Sequence, residues 1–338
     1  MKNILDLFNT LSIEISELLK GNNGKFIKQE YFKKILNKAY EENPWFTNKN
    51  VITTLKHISY LTTKNKIEEW LSSYKLKPTK KKVLVVMAGN IPLVSFHDML
   101  SVLVSGNTFI GKLSSKDKVL PAFIRDILVE IDKNLKNKIY LTENPIKEFD
   151  AVIATGSDNS AKYFEKYFGS YPNIIRKNRS SIAIISGNET EKQLHSLADD
   201  IFLYFGLGCR NISKIYFPKG YDLNYFVKQI NKTDYKSIIT HNKYANNYSY
   251  NKAIYLMNKI PFIDGDFFIL KEDNGITSPI GVIYYEYYKK NDNFDTKLLP
   301  LKEKIQIVLK SSNFGKAQFP ELTEYADGID VMNFLINL

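Results

Sequence analysis

The chain has 338 residues, 44% hydrophobic and 25% charged, with a formal net charge of +11. That composition and length exclude a disordered chain and a minimal scaffold and are enough for two domains, while the cationic surplus favours a polyanionic partner: nucleic acid, an anionic membrane face or a phosphate-bearing cofactor. A single cysteine, Cys209, rules out an intrachain disulfide and an all-cysteine zinc site, so a reducing, cytoplasmic compartment is the expected one.

In chain order, Ile4, Phe8, Leu11, Ile15 and Leu18 recur at helical spacing among Asp6, Glu14 and Glu17, which predicts an amphipathic helix and not an export signal. No uncharged apolar run approaches the ~20 residues that cross a bilayer. Helices separated by breaks at 21–24, Asn43-Pro44 and Pro78-Thr79 are expected up to about Thr79. Beyond it, short apolar runs at 83–87, 108–113, 138–141 and 151–154 read as strands, alternating with helices at 95–104, 119–131 and 160–168. A second series places strands at 182–185, 214–217, 266–270, 281–285 and 305–309, with helices at 190–202 and within 222–258. Such alternation implies right-handed crossovers and mostly parallel sheets covered on both faces. The expected fold class is therefore α/β, two doubly wound Rossmann-type domains behind an N-terminal helical segment, with a boundary near Arg179. No repeat or low-complexity segment is visible.

Ligands of open α/β sheets gather at the carboxyl ends of strands, so the loops leaving the strands carry the search. Gly89-Asn90-Ile91-Pro92 follows the first strand, where glycine permits a tight turn and Asn90 offers a side-chain amide; the same residues also suit a plain βα turn. Lys112-Leu113-Ser114-Ser115-Lys116-Asp117 places cations beside two hydroxyls, suited to a ribose and a phosphate, or to a helix cap with solvated lysines. Thr155-Gly156-Ser157-Asp158 opens a helix whose first N–H groups can receive a pyrophosphate oxygen. Neither a Walker A nor a G-x-G-x-x-G pattern is present.

Cys209 lies in Phe205-Gly206-Leu207-Gly208-Cys209-Arg210-Asn211, where two glycines let the backbone bend and Arg210 favours the thiolate; a lone cysteine is otherwise a small buried hydrophobe. The histidines at 57, 97, 195 and 241 have no metal-site spacing, so no metal is expected. His195, in the helix before Cys209, is a candidate base or a surface histidine, and His97-Asp98 a candidate ligand clamp or a helix start.

Taken together and in order, GNIPL (89–93), SGNTFIGKLSSKD (105–117), ATGS (154–157), GLGCRN (206–211) and AQFPELTEYADGID (317–330) resemble the aldehyde dehydrogenase superfamily, and within it the LuxC-like acyl-CoA reductases. The resemblance runs from about residue 80 to the C-terminus. It implies that Cys209 is the nucleophile, that Asn90 donates to the oxyanion, that Lys112, Ser114 and Ser115 meet the adenosine ribose, and that Gly156 and Ser157 meet the pyrophosphate. It also implies an NADP(H)-binding domain at 1–179 with the N-terminal helices, a catalytic domain at 180–310, and a C-terminal segment at 311–338 packing back on the core. Many NAD-using relatives carry Glu where this chain has Ser115, and its absence beside Lys116 turns the expectation to NADPH. Hydrolytic relatives have a Glu-Leu-Gly-Gly segment; here Arg176-Lys177-Asn178-Arg179 has no carboxylate to activate water, and its cations are candidate contacts for a phosphorylated carrier such as CoA.

The implied activity is NADPH-dependent reduction of a CoA-linked fatty acyl group to an aldehyde through an S-acyl-cysteine. The implied partners are an acyl-CoA or other activated acyl donor and an acyl-activating protein, with a homo-oligomer left open. The competing readings are a CoA-acylating dehydrogenase of a short-chain metabolite, a redox-free acyl carrier or thioesterase, and a basic nucleic-acid-binding protein. The last lacks any recognisable motif.

Overall fold

The computed structural model describes residues 2–77, 79–289 and 292–338; Pro78, one of the expected breaks, lies outside them. The chain divides into two compact units, residues 1–177 with 321–338, and residues 178–320.

In the first unit, α1 (Lys2–Leu19), α2 (Gln29–Glu42), α3 (Asn48–Leu61) and α4 (Lys64–Leu71) precede the sheet. The apolar rhythm of α1 does what its spacing predicts: Phe8, Leu11, Ile15 and Leu18 are all buried. Thr47 starts α3 by accepting the Asn50 N–H at 3.3 Å. The sheet then follows as β1 (Lys82–Val86), α5 (Phe96–Val104), β2 (Thr108–Lys112), α6 (Val119–Ile131), β3 (Ile139–Thr142), β4 (Ala151–Thr155), α7 (Asp158–Phe168) and β5 (Asn173–Arg176). All four pairings are parallel, in the order β3-β2-β1-β4-β5. Val83 and Val85 of β1 face the helical core, whereas Leu84, with Ile110, Val152 and Ala154, packs on the other face near Phe164 and Phe168. Burial on both faces explains why these strands read as unbroken apolar runs. The strand order reverses between β1 and β4, so the crevice of this sheet opens where the loops carrying Asn90 and Gly156 begin.

The end of the chain belongs to the same unit. Leu322 and, in α12 (Val331–Ile336), Val331, Met332 and Leu335 join its core. Tyr325 accepts the Trp70 indole N–H at 2.7 Å.

The second unit contains β6 (Ser180–Ile184), α8 (Glu191–Phe202), β7 (Ile212–Pro218), α9 (Leu223–Ile230), α10 (Asn242–Met257), β8 (Ile263–Asp264), β9 (Ile269–Glu272), β10 (Val282–Tyr288), α11 (Phe294–Leu298) and β11 (Ile305–Lys310). Its strand order is β11-β6-β7-β10-β9-β8, parallel except for the β8–β9 pair. Ala183, Ile215 and Phe217 face one core, and Ile182, Ile184 and Tyr216 the opposite one. The doubly wound α/β expectation thus holds for both sheets. Three details differ from it. Strand β5 was not foreseen; β9 starts at Ile269 and not near 266, because Asp266 is left-handed at φ 68°; and the short antiparallel β8 completes the edge.

Candidate active site

Three of the expected contact loops leave the same edge of the first sheet. Val86 and Lys112 are register partners, and the Met87 N–H donates to the Lys112 carbonyl at 3.0 Å, so the loops after β1 and β2 run side by side. Their approach is close enough to require glycine: a Cβ on Gly89 would sit 2.6 Å from Ser114 Oγ. Asn90 is half-buried next to it, as are Lys112 and Ser114, while Ser115 and Lys116 are exposed. The Ser114 hydroxyl accepts the Lys116 N–H at 3.2 Å, and the Lys112 ammonium donates to the Leu113 carbonyl at 3.3 Å. On the far side of β1, Ser157 caps α7, accepting the Ser160 N–H at 3.2 Å. Gly156 lies so close to α7 that a Cβ there would meet Ser160 and Phe164 at 2.8 and 2.9 Å.

These groups fit a dinucleotide. The three loops follow adjacent strands β2, β1 and β4 at a switch point, the helix start is capped and exposed, and the only carboxylate between 112 and 118, Asp117, is buried. Asp117 accepts the Leu93 N–H at 2.9 Å. Burial pushes its carboxyl up to about 7, with the Leu93 and Leu120 amides opposing and Glu42 adding to the rise.

Cys209 belongs to the second unit, where its side chain is exposed. The backbone beneath it is tightly held. Ser181 at the start of β6 donates its hydroxyl to the Cys209 carbonyl at 2.8 Å. The Asn211 side chain, 3% exposed, accepts the Gly208 N–H at 2.8 Å and donates to the carbonyls of Leu203, Asp200 and Ile201 at 2.9, 3.1 and 3.3 Å. It therefore satisfies the orphan carbonyls at the end of α8 while closing the turn that presents the thiol. Between them Tyr204, Phe205 and Gly206 are left-handed in succession, φ 55°, 58° and 75°. For the two non-glycine residues this costs about 1–2 kcal/mol each, and the strain is held by burial of both rings and by Phe205 packing 4.5 Å from the His241 ring. Asp200, at the same end of α8, accepts the N–H groups of Gly315 and Ala317 at 2.6 and 2.9 Å, and burial lifts its carboxyl to about 7. Asn211, Ser181, Asp200 and Asp117 were not singled out from sequence; the nearest signal for Asn211 was a polar residue interposed between a glycine-rich turn and an apolar strand.

Several side chains take other roles than the sequence offered them. Arg176 is buried in a bidentate pair with Asp98, at 2.7 and 2.9 Å. Lys177 pairs with Glu165 at 2.9 Å, and Arg179 donates to the Ile305 carbonyl at 3.3 Å. The cations of 176–179 thus have partners within the protein, which counters their reading as a free surface for CoA phosphates. Asp98 is a structural counter-ion. His97 Nε2 lies 2.9 Å from the Leu322 carbonyl between the Trp70 and Tyr325 rings, where it braces the C-terminal segment. His195 is half-buried, with Nε2 shielded and without a hydrogen-bond partner. Among the described residues no group of three His, Cys, Asp or Glu side chains could hold a metal, and no helix is long and apolar enough to cross a membrane.

The fold is that of the aldehyde dehydrogenases. An indole-3-acetaldehyde dehydrogenase solved with NAD+ superposes with a TM-score of 0.62 at 11% identity, over 91% of this chain and 76% of its own. Aldehyde dehydrogenase 21 from Physcomitrella patens gives 0.61 at 11% identity, over 99% of this chain and 84% of its own. Within that fold, residues 30–230 match the family model of acyl-CoA reductase (LuxC), and the chain belongs to that family. The long-chain acyl-protein thioester reductase of Aliivibrio fischeri is 27% identical over 188 residues, which is 49% of this chain and 38% of that protein. The match thus spans about two-fifths of the relative's length.

Proposed function

We propose that the protein reduces a thioester-activated long-chain acyl group to an aldehyde, with Cys209 as acyl acceptor and NADPH as reductant. The observation that carries this reading is the turn at Cys209. The chain's single thiol is exposed on a backbone fixed by Ser181 and Asn211, in a member of a reductase family.

In this mechanism the Cys209 thiolate attacks the acyl carbonyl, a new C–S bond forms, and the carrier departs as its own thiolate. The Asn90 amide and a backbone N–H donate to the oxyanion while that carbon is tetrahedral. NADPH, when bound, supplies a hydride to the acyl carbon. Cys209 then leaves the reduced carbon as thiolate, and the aldehyde is released. Lys112, Ser114 and Ser115 would hold the adenosine ribose and Gly156 with Ser157 the pyrophosphate. The first unit would thereby serve the cofactor and the second the nucleophile. The preference for NADPH is supported by exposed Ser115 and Lys116 and by the burial of Asp117, which leaves no exposed carboxylate in that loop to repel a 2′-phosphate.

The acyl donor is CoA-linked in this reading, and a carrier-protein thioester is the second candidate because the Aliivibrio fischeri relative is named for that substrate. A cytoplasmic setting, expected from the lone thiol, belongs to the same proposal. The test is aldehyde formation from a long-chain acyl-CoA and from the same acyl group on a carrier protein, each with NADPH and with NADH. Aldehyde made faster with NADPH, and lost in Cys209→Ala, supports the reading. Absence of aldehyde from both donors removes the activity, and equal rates with the two nucleotides remove the cofactor preference.

A further inference from the structure

We infer that Asp117 is a positioning residue that sets the Asn90 loop and ties it to the cofactor loop, an inference that rests on the oxyanion role proposed for Asn90. The loops after β1 and β2 interlock at two points. At the first, Gly89 lies against Ser114, with Asp117 N only 3.1 Å from where a Cβ on Gly89 would stand. At the second, Asp117 Oδ2 accepts the Leu93 N–H at 2.9 Å.

Leu93 is itself left-handed, at φ 52°, and buried. A non-glycine residue keeps that conformation only where its surroundings over-determine it, and the Asp117 hydrogen bond is one of the restraints that do so. Asn90 is three residues upstream in the same turn, so the angle at which its amide is presented depends on where Leu93 is pinned. Asp117 also closes its own loop, its N–H donating to the Ser114 carbonyl at 3.2 Å, while the side chain of Asn43, just past the end of α2, holds the Lys116 carbonyl at 3.1 Å. One residue thus joins the two loops, its carboxylate holding the one that would donate to the oxyanion and its N–H closing the one that would hold the ribose.

The test is the rate of Cys209 acylation by a long-chain acyl-CoA in the full chain, followed by intact mass without cofactor. Asp117→Ala is expected to slow acylation by about 10- to 100-fold, as loss of alignment of one oxyanion donor does, with the acyl-CoA concentration at half-maximal rate nearly unchanged. Asp117→Asn, whose amide oxygen can still accept from Leu93, is expected to recover most of the rate. Gly89→Ala presses on the same interlock from the other loop with Asp117 intact and is expected to repeat the loss, so the inference stays testable if Asp117→Ala fails to fold. The decisive arm is Asn90→Ala with Asp117→Ala. If Asp117 acts through Asn90, the double variant is no slower than Asn90→Ala alone. Multiplying effects, or an Asp117→Ala protein of normal acylation rate, overturn the inference. A normal rate in Asn90→Ala overturns instead the oxyanion reading beneath it.

Discussion

Replacing Asn211 by alanine should loosen the turn that presents Cys209, and the size of the effect follows from its contacts. The side chain makes one accepted hydrogen bond, from Gly208 at 2.8 Å, and shares its amide hydrogens among three carbonyls at 2.9 to 3.3 Å. Alanine orphans the Gly208 N–H and the carbonyls of the last turn of α8, in a site with 3% exposure. At about 1 kcal/mol for each good hydrogen bond lost, and 1–3 kcal/mol for a buried group left unpaired, the cost comes to roughly 4 kcal/mol. For a domain of this size that corresponds to a fall in melting temperature of roughly 10 °C. Asn211→Asp is the sharper variant: it keeps an acceptor for Gly208 but sets a carboxylate against three carbonyl oxygens, and should melt lower than the alanine protein. Thermal unfolding followed by circular dichroism reads both. Melting within about 1 °C of the parent for both variants would refute the claim that this side chain holds the turn.

The Arg176–Asp98 pair is buried, with side chains 7% and 5% exposed, so removing one partner strands a charge. Arg176→Met or Asp98→Leu alone should each cost about 3–5 kcal/mol in denaturant unfolding, while the double apolar replacement should recover most of that; equal losses in all three would contradict the pairing. Stability should also depend on pH through Asp200. Its folded carboxyl is raised from 3.8 to about 7, so in that window the folded protein holds a proton the unfolded chain has released. The contribution is therefore full below the unfolded value and is lost as pH rises through the folded one, by up to about 1.4 kcal/mol per pH unit. Unfolding measured from about pH 5 to pH 8 should show a flatter slope in Asp200→Asn than in the parent, and an unchanged slope would remove the assignment.

What could be read from the sequence was whatever a single element writes locally. The strands at 83–87, 151–154 and 182–185 are buried on both faces, so their apolar runs are continuous, and Val119–Ile131 carries a full helical stripe. Strand β5 escaped notice because Arg176 sits in it, and only the fold supplies the Asp98 that lets a charge be buried there. The site divides in the same way. Asn90, the loop at 112–117 and Cys209 stand out through glycines and unusual polar residues in short windows. The side chains that hold those loops act across long stretches of chain: Ser181 reaches Cys209 from 28 residues away and Asp117 reaches Leu93 from 24. No local pattern records such a pairing. The left-handed Tyr204 and Phe205 are equally silent, since neither residue type signals a positive φ.

The most direct measurement of the central claim is the intact mass of the protein after mixing with a long-chain acyl-CoA, first alone and then with NADPH. The account predicts an added acyl mass that is absent in Cys209→Ala and disappears when NADPH is supplied, with aldehyde released. Failure to form the adduct, or an adduct equally present in Cys209→Ala, would contradict it.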